Sequence, residues 1–237
     1  MTGLVNLRDV GRARPAAGNG AVVAPGRLFR SDSLHTATPD DLQHLFGERG
    51  VRALLDLRGP AEAARHPVAR EADTGYVNVP LRQLAGELPD TDDVLGEMYV
   101  DYLRHDPNLP VAVGVLAGLL ARGPAVVFCS AGKDRTGMVV ALTLGLAGVP
   151  TASIVGDYVD TAPNLPAVLR KIESTPADGT ARRLPLGLRD CPPSAMERFL
   201  RTVDRDHGSF PGWARRVGIP QGTDVRLREL LTTVGAA

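Results

Sequence analysis

Short apolar runs bounded by turn residues alternate with longer amphipathic segments along the chain. The apolar runs predict buried strands over 52–57, 76–79 and 125–128. Helical spacing and capping signals predict helices that start at Thr38 and Thr151 and others over 91–103, 111–121 and 136–147. Strands interspersed with helices are typical of an α/β fold with a central, mostly parallel sheet flanked by helices. We therefore predict that fold class.

The two ends of the chain have different patterns. Residues 1–35 are irregular, and turn signals at Pro25-Gly26 predict a hairpin of strands 21–24 and 27–30. Residues 193–237 predict C-terminal helices: Ser194 and Glu197 have the spacing of a capping box, Gly208 ends that helix, and the last helix begins at Thr223. No interdomain linker separates these parts, so a single domain over 1–237 is predicted.

The segment from Ala125 to Gly137 joins a short apolar strand to an apolar helix through small residues and a glycine. That composition lets successive backbone N–H groups of Ser130, Ala131 and Gly132 point to one position at a helix N-terminus. Such an arrangement is typical of an oxyanion site. The segment therefore predicts a phosphate pocket.

Two residues of this loop have the spacing of a phosphate-transfer site. The helix dipole, the inward amides and Arg135 favour the thiolate form of Cys129, which makes this residue the predicted nucleophile. Arg135 follows in a Cys-x5-Arg pattern, and its planar guanidinium can bind two phosphate oxygens while the sulfur attacks in line. Thr136 is expected to donate its hydroxyl to the departing sulfur, and Lys133 supplies a second cation for a second phosphate or an acidic substrate. A lone cysteine after a strand is otherwise a small buried hydrophobe.

The loop resembles that of the bacterial atypical protein-tyrosine/serine phosphatases, whose signature is His-Cys-x-x-Gly-Lys-Asp-Arg-Thr-Gly. The resemblance covers nearly the whole chain. It extends to segments that occur in the family's order: Asn6-Leu7-Arg8-Asp9, Pro25-Gly26-Arg27-Leu28-Phe29-Arg30-Ser31, Leu55-Asp56-Leu57-Arg58, Val79-Pro80-Leu81, Asp157-Tyr158 and Met196 to Ile219. It implies a cysteine-phosphatase type of fold and a metal-independent phosphatase that forms a phosphocysteine intermediate and needs no cofactor.

The same resemblance implies particular residue roles. Asp134 corresponds to the aspartate that acts as general acid in the family, and residues 161–192 correspond to helices over the pocket that could form a lid. Asp56, at the C-terminal end of a predicted strand, is the second candidate for the acid, although a carboxylate that ties down its own loop fits as well. Phe128 departs from the signature, because the family has histidine there to shape the loop and support the thiolate.

Composition excludes several other function classes. The 27 basic and 27 acidic residues balance, so the chain lacks the basic field expected for binding nucleic acid or an anionic membrane. No run of about 20 apolar residues indicates a membrane span, and the N-terminus has no signal-peptide pattern, which predicts a cytoplasmic protein. Cys129 and Cys191 have neither disulfide nor metal-ligand spacing, and Cys191 is interpreted as a bystander, with redox pairing to Cys129 as the minor alternative.

Three functions stay open from the sequence. The first is a phosphatase that acts on phosphorylated protein. The second has the same mechanism but acts on a small ester such as a nucleotide, sugar phosphate or phosphoinositide. The third is a catalytically weak phosphate-binding module. Phe128 in place of the family's histidine suggests this alternative, and the presence of Cys129, Arg135 and Thr136 argues against it. Tyr99 is interpreted as core, and Asp157 with Asp160 as a solvated acidic face.

Overall fold

The computed structural model describes residues 3–12, 21–82, 91–174 and 185–233. Its strands are, in chain order, β1 (Arg8–Asp9), β2 (Val22–Val23), β3 (Leu28–Ser31), β4 (Ala53–Asp56), β5 (Gly75–Asn78), β6 (Ala125–Phe128) and β7 (Thr232–Thr233). Its α-helices are α1 (Pro39–Leu42), α2 (Pro60–Arg65), α3 (Val94–His105), α4 (Asn108–Leu120), α5 (Asp134–Leu146), α6 (Thr151–Val159), α7 (Leu165–Ser174), α8 (Pro193–His207), α9 (Phe210–Arg216) and α10 (Thr223–Leu231). Short 3-10 turns and a π-helical turn over Gln43–Glu48, which continues α1, complete the described parts.

Five of these strands form the central sheet, in the order β1-β3-β6-β4-β5. The pairs β3–β6, β6–β4 and β4–β5 are parallel, and only β1 is antiparallel to its neighbour. The register places Ser31 and Asp56 on either side of Phe128, so the carboxyl ends of the three inner strands meet at one edge. The predicted α/β class with a mostly parallel sheet flanked by helices is confirmed.

Alternate residues of the inner strands face two separate apolar cores. In β6, Ala125 and Val127 contribute to the larger core, in which α3, α4, α5, α6 and α8 pack, whereas Val126 and Phe128 contribute to the smaller one. A strand that is buried on both faces must be apolar throughout, which explains the continuous run that identified β6 in the sequence. The sheet is therefore covered on both sides, and its carboxyl edge is where the connecting loops gather.

Local capping signals explain several helix starts. The Thr38 hydroxyl accepts from the backbone N–H of Asp41, and the Asp41 carboxylate accepts from Thr38 N, so α1 begins with the expected proline after its cap. Ser209 caps α9 through Gly212 N, and Gly208 ends α8 with a φ of 75°. These boundaries agree with the sequence prediction.

Two local predictions were wrong. Strands β2 and β3 do not pair with each other as a hairpin, because β2 pairs with β7 near the C-terminus and β3 enters the central sheet. The capping box at Ser194 is not formed either, because α8 begins one residue earlier at Pro193 and its cap, Pro192, has no side chain that can accept a hydrogen bond. The first error arose because the partner of β2 is distant in the sequence. The second arose because the helix starts one residue before the predicted position.

The predicted lid segment is described only in part. Residues 161–174 form a 3-10 turn and α7, residues 186–188 form another turn, and residues 175–184 lie outside the described residues. The lid and the single-domain boundaries therefore stay predictions. Within the described ranges, no helix has both the length and the apolar character that crossing a membrane requires.

Candidate active site

The predicted phosphate pocket lies at the carboxyl end of β6, the middle strand of the sheet. Strand β6 ends at Phe128, residues 129–133 form the loop, and α5 begins at Asp134. Gly132 has a φ of 68°, and a Cβ built on it would lie 2.3 Å from the carbonyl oxygen of Ser31. Glycine is required at this position for both its backbone conformation and its close packing.

Hydrogen bonds from outside the loop hold its carbonyl groups. The carbonyl of Ser130 accepts from Ser33 N at 3.1 Å, and those of Ala131 and Gly132 accept from Asn6 Nδ2 at 3.0 and 3.3 Å. The Arg30 guanidinium adds a bond of 2.7 Å to the carbonyl of Gly132. In a planar trans peptide the C=O of one residue and the N–H of the next point in opposite directions. The outward carbonyls of Ser130, Ala131 and Gly132 therefore direct the N–H groups of Ala131, Gly132 and Lys133 into the loop. N–H groups arranged in this way are typical of an anion nest, and the phosphate pocket stays a prediction.

Cys129 lies at the base of this nest. It is 2% exposed, and its sulfur accepts a hydrogen bond of 3.3 Å from Gly132 N. An amide that donates to sulfur stabilises the thiolate, as does a position before a helix N-terminus. The geometry matches that of a nucleophile for an anion held by the same amides.

Arg135, in the first turn of α5, is oriented by a short chain of polar groups. Its guanidinium donates to the carbonyl of Leu57 at 3.2 Å and to Ser130 Oγ at 2.6 Å, and Ser130 Oγ donates to Glu62 Oε1 at 2.7 Å. Burial acts to lower the pKa of Arg135, but the electrostatic effects of the nearby Cys129 and Glu62 outweigh it and raise that pKa. Arg135 is thus a fixed cation close to Cys129.

Asp134 and Lys133 contact each other at the start of α5. The Asp134 side chain is 24% exposed, and its Oδ1 lies 3.1 Å from Lys133 Nζ. Lys133 is only 1% exposed, and its ammonium donates to the carbonyls of Leu188 and Asp190 at 3.1 and 2.6 Å. The ammonium therefore binds the segment that leads into α8, and its predicted role as a second cation for a second phosphate or an acidic substrate stays a prediction.

Thr136 is fully buried, and its hydroxyl has no hydrogen-bond partner among the described residues. The bond predicted from this hydroxyl to the sulfur belongs to the step in which the sulfur leaves phosphorus, and the structure shows no bond between the two groups. A buried hydroxyl without a partner costs free energy. This cost is recovered if the hydroxyl finds its acceptor only during the reaction, so the predicted role of Thr136 stays a prediction.

Asp56, the second candidate for the acid, is fully buried at the end of β4. It accepts two hydrogen bonds from Arg58 Nε, one from Arg58 N and one of 2.8 Å from the Tyr76 hydroxyl, and its ion pair with Arg58 Nη2 is 2.7 Å long. Burial acts to lower the pKa of Arg58, but the bonds to Asp56 outweigh it and raise that pKa. This environment fits the alternative reading, in which the carboxylate ties down its own loop.

Phe128 occupies an apolar position that explains its departure from the family signature. Its ring is fully buried in the smaller core, and the Arg58 guanidinium lies over the ring face at 5.4 Å from the centroid. A cation over an aromatic face is favourable, and the surrounding side chains are apolar. The residues around position 128 are thus adapted to phenylalanine.

We expect Phe128→His to destabilise the protein by about 1 to 3 kcal/mol and to give no increase in kcat, because the imidazole nitrogens would be buried without hydrogen-bond partners in an apolar core, and a protonated ring would repel Arg58. Thermal unfolding and hydrolysis of p-nitrophenyl phosphate measure the two effects. Phe128→Leu, which keeps the site apolar, is the control and should lose less stability. A Phe128→His protein that is as stable as the wild type and more active would contradict this account.

Behind the loop, a buried ion-pair network connects it to β1, β3 and α6. Asp157, 2% exposed, is paired with the fully buried Arg30 and with Arg8 at 3.3 Å, and Arg8 also donates to Thr161 Oγ1 at 2.9 Å. Burial and the neighbouring Arg30 lower the pKa of Arg8 to about 10, and Asp157 limits that fall. The interpretation of Asp157 as part of a solvated acidic face was wrong.

Sequence reasoning missed three parts of this site. Glu62 lies next to Arg135 although two strands and two helices separate them in the chain, and Tyr99, which was interpreted as core, contacts Asp134. The Arg30–Asp157 pair was also missed. The available signal was an arginine and an aspartate within segments that resemble the family's landmarks, but no spacing in the sequence shows that they meet.

The comparisons with known proteins agree with this geometry. A model of the tyrosine phosphatase family matches residues 1–233. The triple specificity protein phosphatase PtpB of Mycobacterium tuberculosis is 28% identical over 98% of both chains. A tyrosine-protein phosphatase of Nostoc commune is 33% identical over 63% of this chain and 53% of its own.

Among solved structures, TpbA of P. aeruginosa is similar with a TM-score of 0.37 and 14% identity, over 69% of this chain and 94% of its own. The family match, by contrast, spans almost the entire chain and includes every residue of the loop described above. From that match and the geometry of the loop, we conclude that this chain belongs to the tyrosine phosphatase family.

Proposed function

We propose that the protein hydrolyses phosphomonoesters, with phosphotyrosine in proteins as the main substrate, through a phosphocysteine on Cys129. The observation that carries this proposal is the loop whose carbonyls at Ser130, Ala131 and Gly132 are bonded outward, with the buried sulfur at its base and Arg135 beside it. Such a nest fits the three non-bridging oxygens of a phosphate dianion. Membership of the tyrosine phosphatase family supports it.

In the first step the Cys129 thiolate attacks phosphorus and the bond from phosphorus to the ester oxygen breaks. The loop amides and Arg135 stabilise the charge on the equatorial oxygens. The departing oxygen takes a proton from Asp134, which is next to Arg135 in the chain and is part-exposed. The products of this step are the free alcohol or phenol and the phosphocysteine.

In the second step Asp134, now a carboxylate, accepts a proton from water as the water oxygen attacks phosphorus. The phosphorus–sulfur bond breaks and inorganic phosphate forms. Thr136 donates its hydroxyl to the leaving sulfur, which gives its buried oxygen a partner. Every proton and electron pair in these two steps is supplied by the chain, the substrate and water, and the proposed mechanism includes no metal.

We assign the acid role to Asp134 rather than Asp56. Asp56 is fully buried and already accepts bonds from Arg58 and Tyr76, so it has no approach to a leaving group. Ser130, Ala131, Gly132 and Lys133 form the proposed substrate-binding loop, in which the outward carbonyls of the first three turn the backbone N–H groups of Ala131, Gly132 and Lys133 toward the phosphate. Lys133 acts on the site through Asp134 and the segment around Leu188.

Further parts of the proposal concern the whole chain. We place the activity in one catalytic domain over 1–237, with residues 161–192 as a lid over the pocket and a cytoplasmic location that keeps the thiolate reduced. A phosphoprotein is the proposed partner, and small phosphate esters are secondary substrates. A phosphate-binding module without turnover is disfavoured because the loop keeps Cys129, Asp134 and Arg135, the three residues to which the proposed reaction assigns chemistry.

We expect Asp134→Asn to reduce kcat/KM for phenyl phosphate by about 100-fold or more but that for p-nitrophenyl phosphate by less than about tenfold. A poor leaving group needs the proton, whereas p-nitrophenolate leaves without it. Steady-state kinetics with both esters, in the presence of a chelator, measures the ratio. The chelator itself should leave the wild-type rates unchanged.

The control is Asp160→Asn, which makes the same change at an exposed position at the end of α6. It should leave both rates within about twofold of the wild type. Equal losses on the two esters in Asp134→Asn would show that Asp134 braces the loop and is not the proton donor.

A further inference from the structure

Tyr99, on α3, contacts the proposed proton donor from inside the core. It has no exposed surface, and its hydroxyl lies 2.5 Å from Asp134 Oδ1 and 2.9 Å from the Tyr158 hydroxyl. A carboxylate can only accept, so Tyr99 donates its single hydrogen to Asp134. The Tyr158 hydroxyl must then donate to the Tyr99 oxygen. The three groups form a chain with one direction, from Tyr158 through Tyr99 to Asp134.

This chain of hydrogen bonds gives the two carboxylate oxygens of Asp134 different surroundings. Oδ1 accepts from Tyr99 and lies 3.1 Å from Lys133 Nζ, whereas Oδ2 has no hydrogen bond to any residue in the described ranges. A proton on Oδ1 would compete with both donors. The proton that Asp134 carries into the reaction therefore resides on Oδ2.

The Tyr99 ring is fixed by three helices. It packs edge-on against Tyr158 of α6, at 6.0 Å between centroids, and against Phe199 of α8, at 6.4 Å. Such edge-to-face pairs have a preferred geometry. Burial, with the Asp134 charge next in importance, raises the pKa of Tyr99 well above its ordinary value, so the hydroxyl stays a donor at physiological pH. Burial also raises the pKa of Tyr158.

We propose that Tyr99, oriented by Tyr158, is a positioning residue that holds Oδ1 of Asp134, so that Oδ2 carries the transferable proton toward the leaving group. The inference rests on the proposed function, because it concerns the proton donor of that reaction. It predicts that loss of one buried hydroxyl, which itself does not contact substrate, affects catalysis in the same selective way as loss of the acid.

The test is Tyr99→Phe, assayed as kcat/KM on phenyl phosphate and on p-nitrophenyl phosphate. This parameter reports the steps up to release of the leaving group. We expect about a tenfold or greater loss on phenyl phosphate, less than about threefold on p-nitrophenyl phosphate, and an unchanged inhibition constant for inorganic phosphate. A merely structural role would lower both rates together and weaken phosphate binding.

Tyr76→Phe is the matched control, because it also removes a tyrosine hydroxyl from a carboxylate, that of Asp56 at 2.8 Å. Its ratio of the two rates should equal the wild-type ratio. If Tyr99→Phe does not fold, Tyr158→Phe replaces it. A smaller selective loss is expected there, since Tyr99 remains but loses the donor that orients it.

The outcomes separate this inference from the function on which it rests. A selective loss in Asp134→Asn with an unchanged ratio in Tyr99→Phe, or in Tyr158→Phe where that variant is used, overturns the inference and leaves the phosphatase intact. No selective loss in Asp134→Asn would overturn the assignment of the proton donor itself. A wild-type protein without turnover on either ester would overturn the proposed function.

Discussion

Cys129→Ser is expected to lower kcat for p-nitrophenyl phosphate by at least about 10⁴-fold, because a serine hydroxyl at this position is a far weaker nucleophile than a thiolate. Phosphate binding should change by less than about threefold, since the amides of the loop and Arg135 are still present. Steady-state kinetics and the inhibition constant for inorganic phosphate measure the two quantities separately.

Cys191→Ser is the matched control. Cys191 is 3% exposed, its sulfur donates to the carbonyl of Tyr158 at 3.3 Å, and burial raises the pKa of its thiol. Serine can keep that hydrogen bond, so turnover should stay within about threefold of the wild type. Substantial turnover in Cys129→Ser, or an equal loss in both variants, would contradict the assignment of the nucleophile.

Asp157→Ala is expected to lower the free energy of unfolding by about 3 to 5 kcal/mol, because it leaves the fully buried Arg30 without its counter-charge. For a chain of this length, such a loss lowers Tm by about 6 to 20 °C. The same variant should weaken phosphate binding, because Arg30 holds the carbonyl of Gly132 at 2.7 Å and loses its own anchor. Thermal unfolding and phosphate inhibition measure these effects.

Two further variants separate stability from loop geometry. Asp160→Ala, at the exposed end of the same helix, should change the free energy of unfolding by less than about 0.5 kcal/mol. The double variant Arg30→Met, Asp157→Leu removes the charges of Arg30 and Asp157 and should recover part of the stability, since Arg8 still lacks its ion-pair partner, but not the phosphate binding. If Asp157→Ala unfolded within about 2 °C of Asp160→Ala, the buried network would not be supporting the loop.

The sequence allowed the fold class and the reactive loop to be predicted because both depend on local information. The apolar run of β6 is continuous since both faces of the strand are buried, and the Cys-x5-Arg spacing lies within one strand, loop and helix. The cap at Thr38 is local as well. In each case the residues that determine the structure are within a few positions of one another.

The supporting contacts could not be predicted, because they join residues that are distant in the chain. Asp157 and Arg30 lie 127 positions apart, and Tyr99 and Asp134 lie 35 apart. In a single sequence, Asp157 cannot be told from an exposed acid at helical spacing, nor Tyr99 from an ordinary core aromatic. The pairing of β2 with β7, rather than with β3, is another contact between distant segments.

The environment of position 128 also required the structure. From the sequence, phenylalanine in place of histidine raised the possibility of a weak enzyme. In the fold the ring fills an apolar core beneath the Arg58 guanidinium, while the amide of Gly132 donates to the Cys129 sulfur. The loop thus receives its support from Asn6, Arg30 and Ser33 rather than from position 128.

The most direct test of the central claim is to trap the covalent intermediate. Asp134→Asn, which should form the phosphocysteine from p-nitrophenyl phosphate but hydrolyse it slowly, is quenched in acid during turnover, digested and analysed by mass spectrometry. The account predicts one added phosphoryl group on the peptide that contains Cys129, and none in the Cys129→Ser protein. A phosphoryl group on another residue, or turnover without any phosphoenzyme, would contradict it.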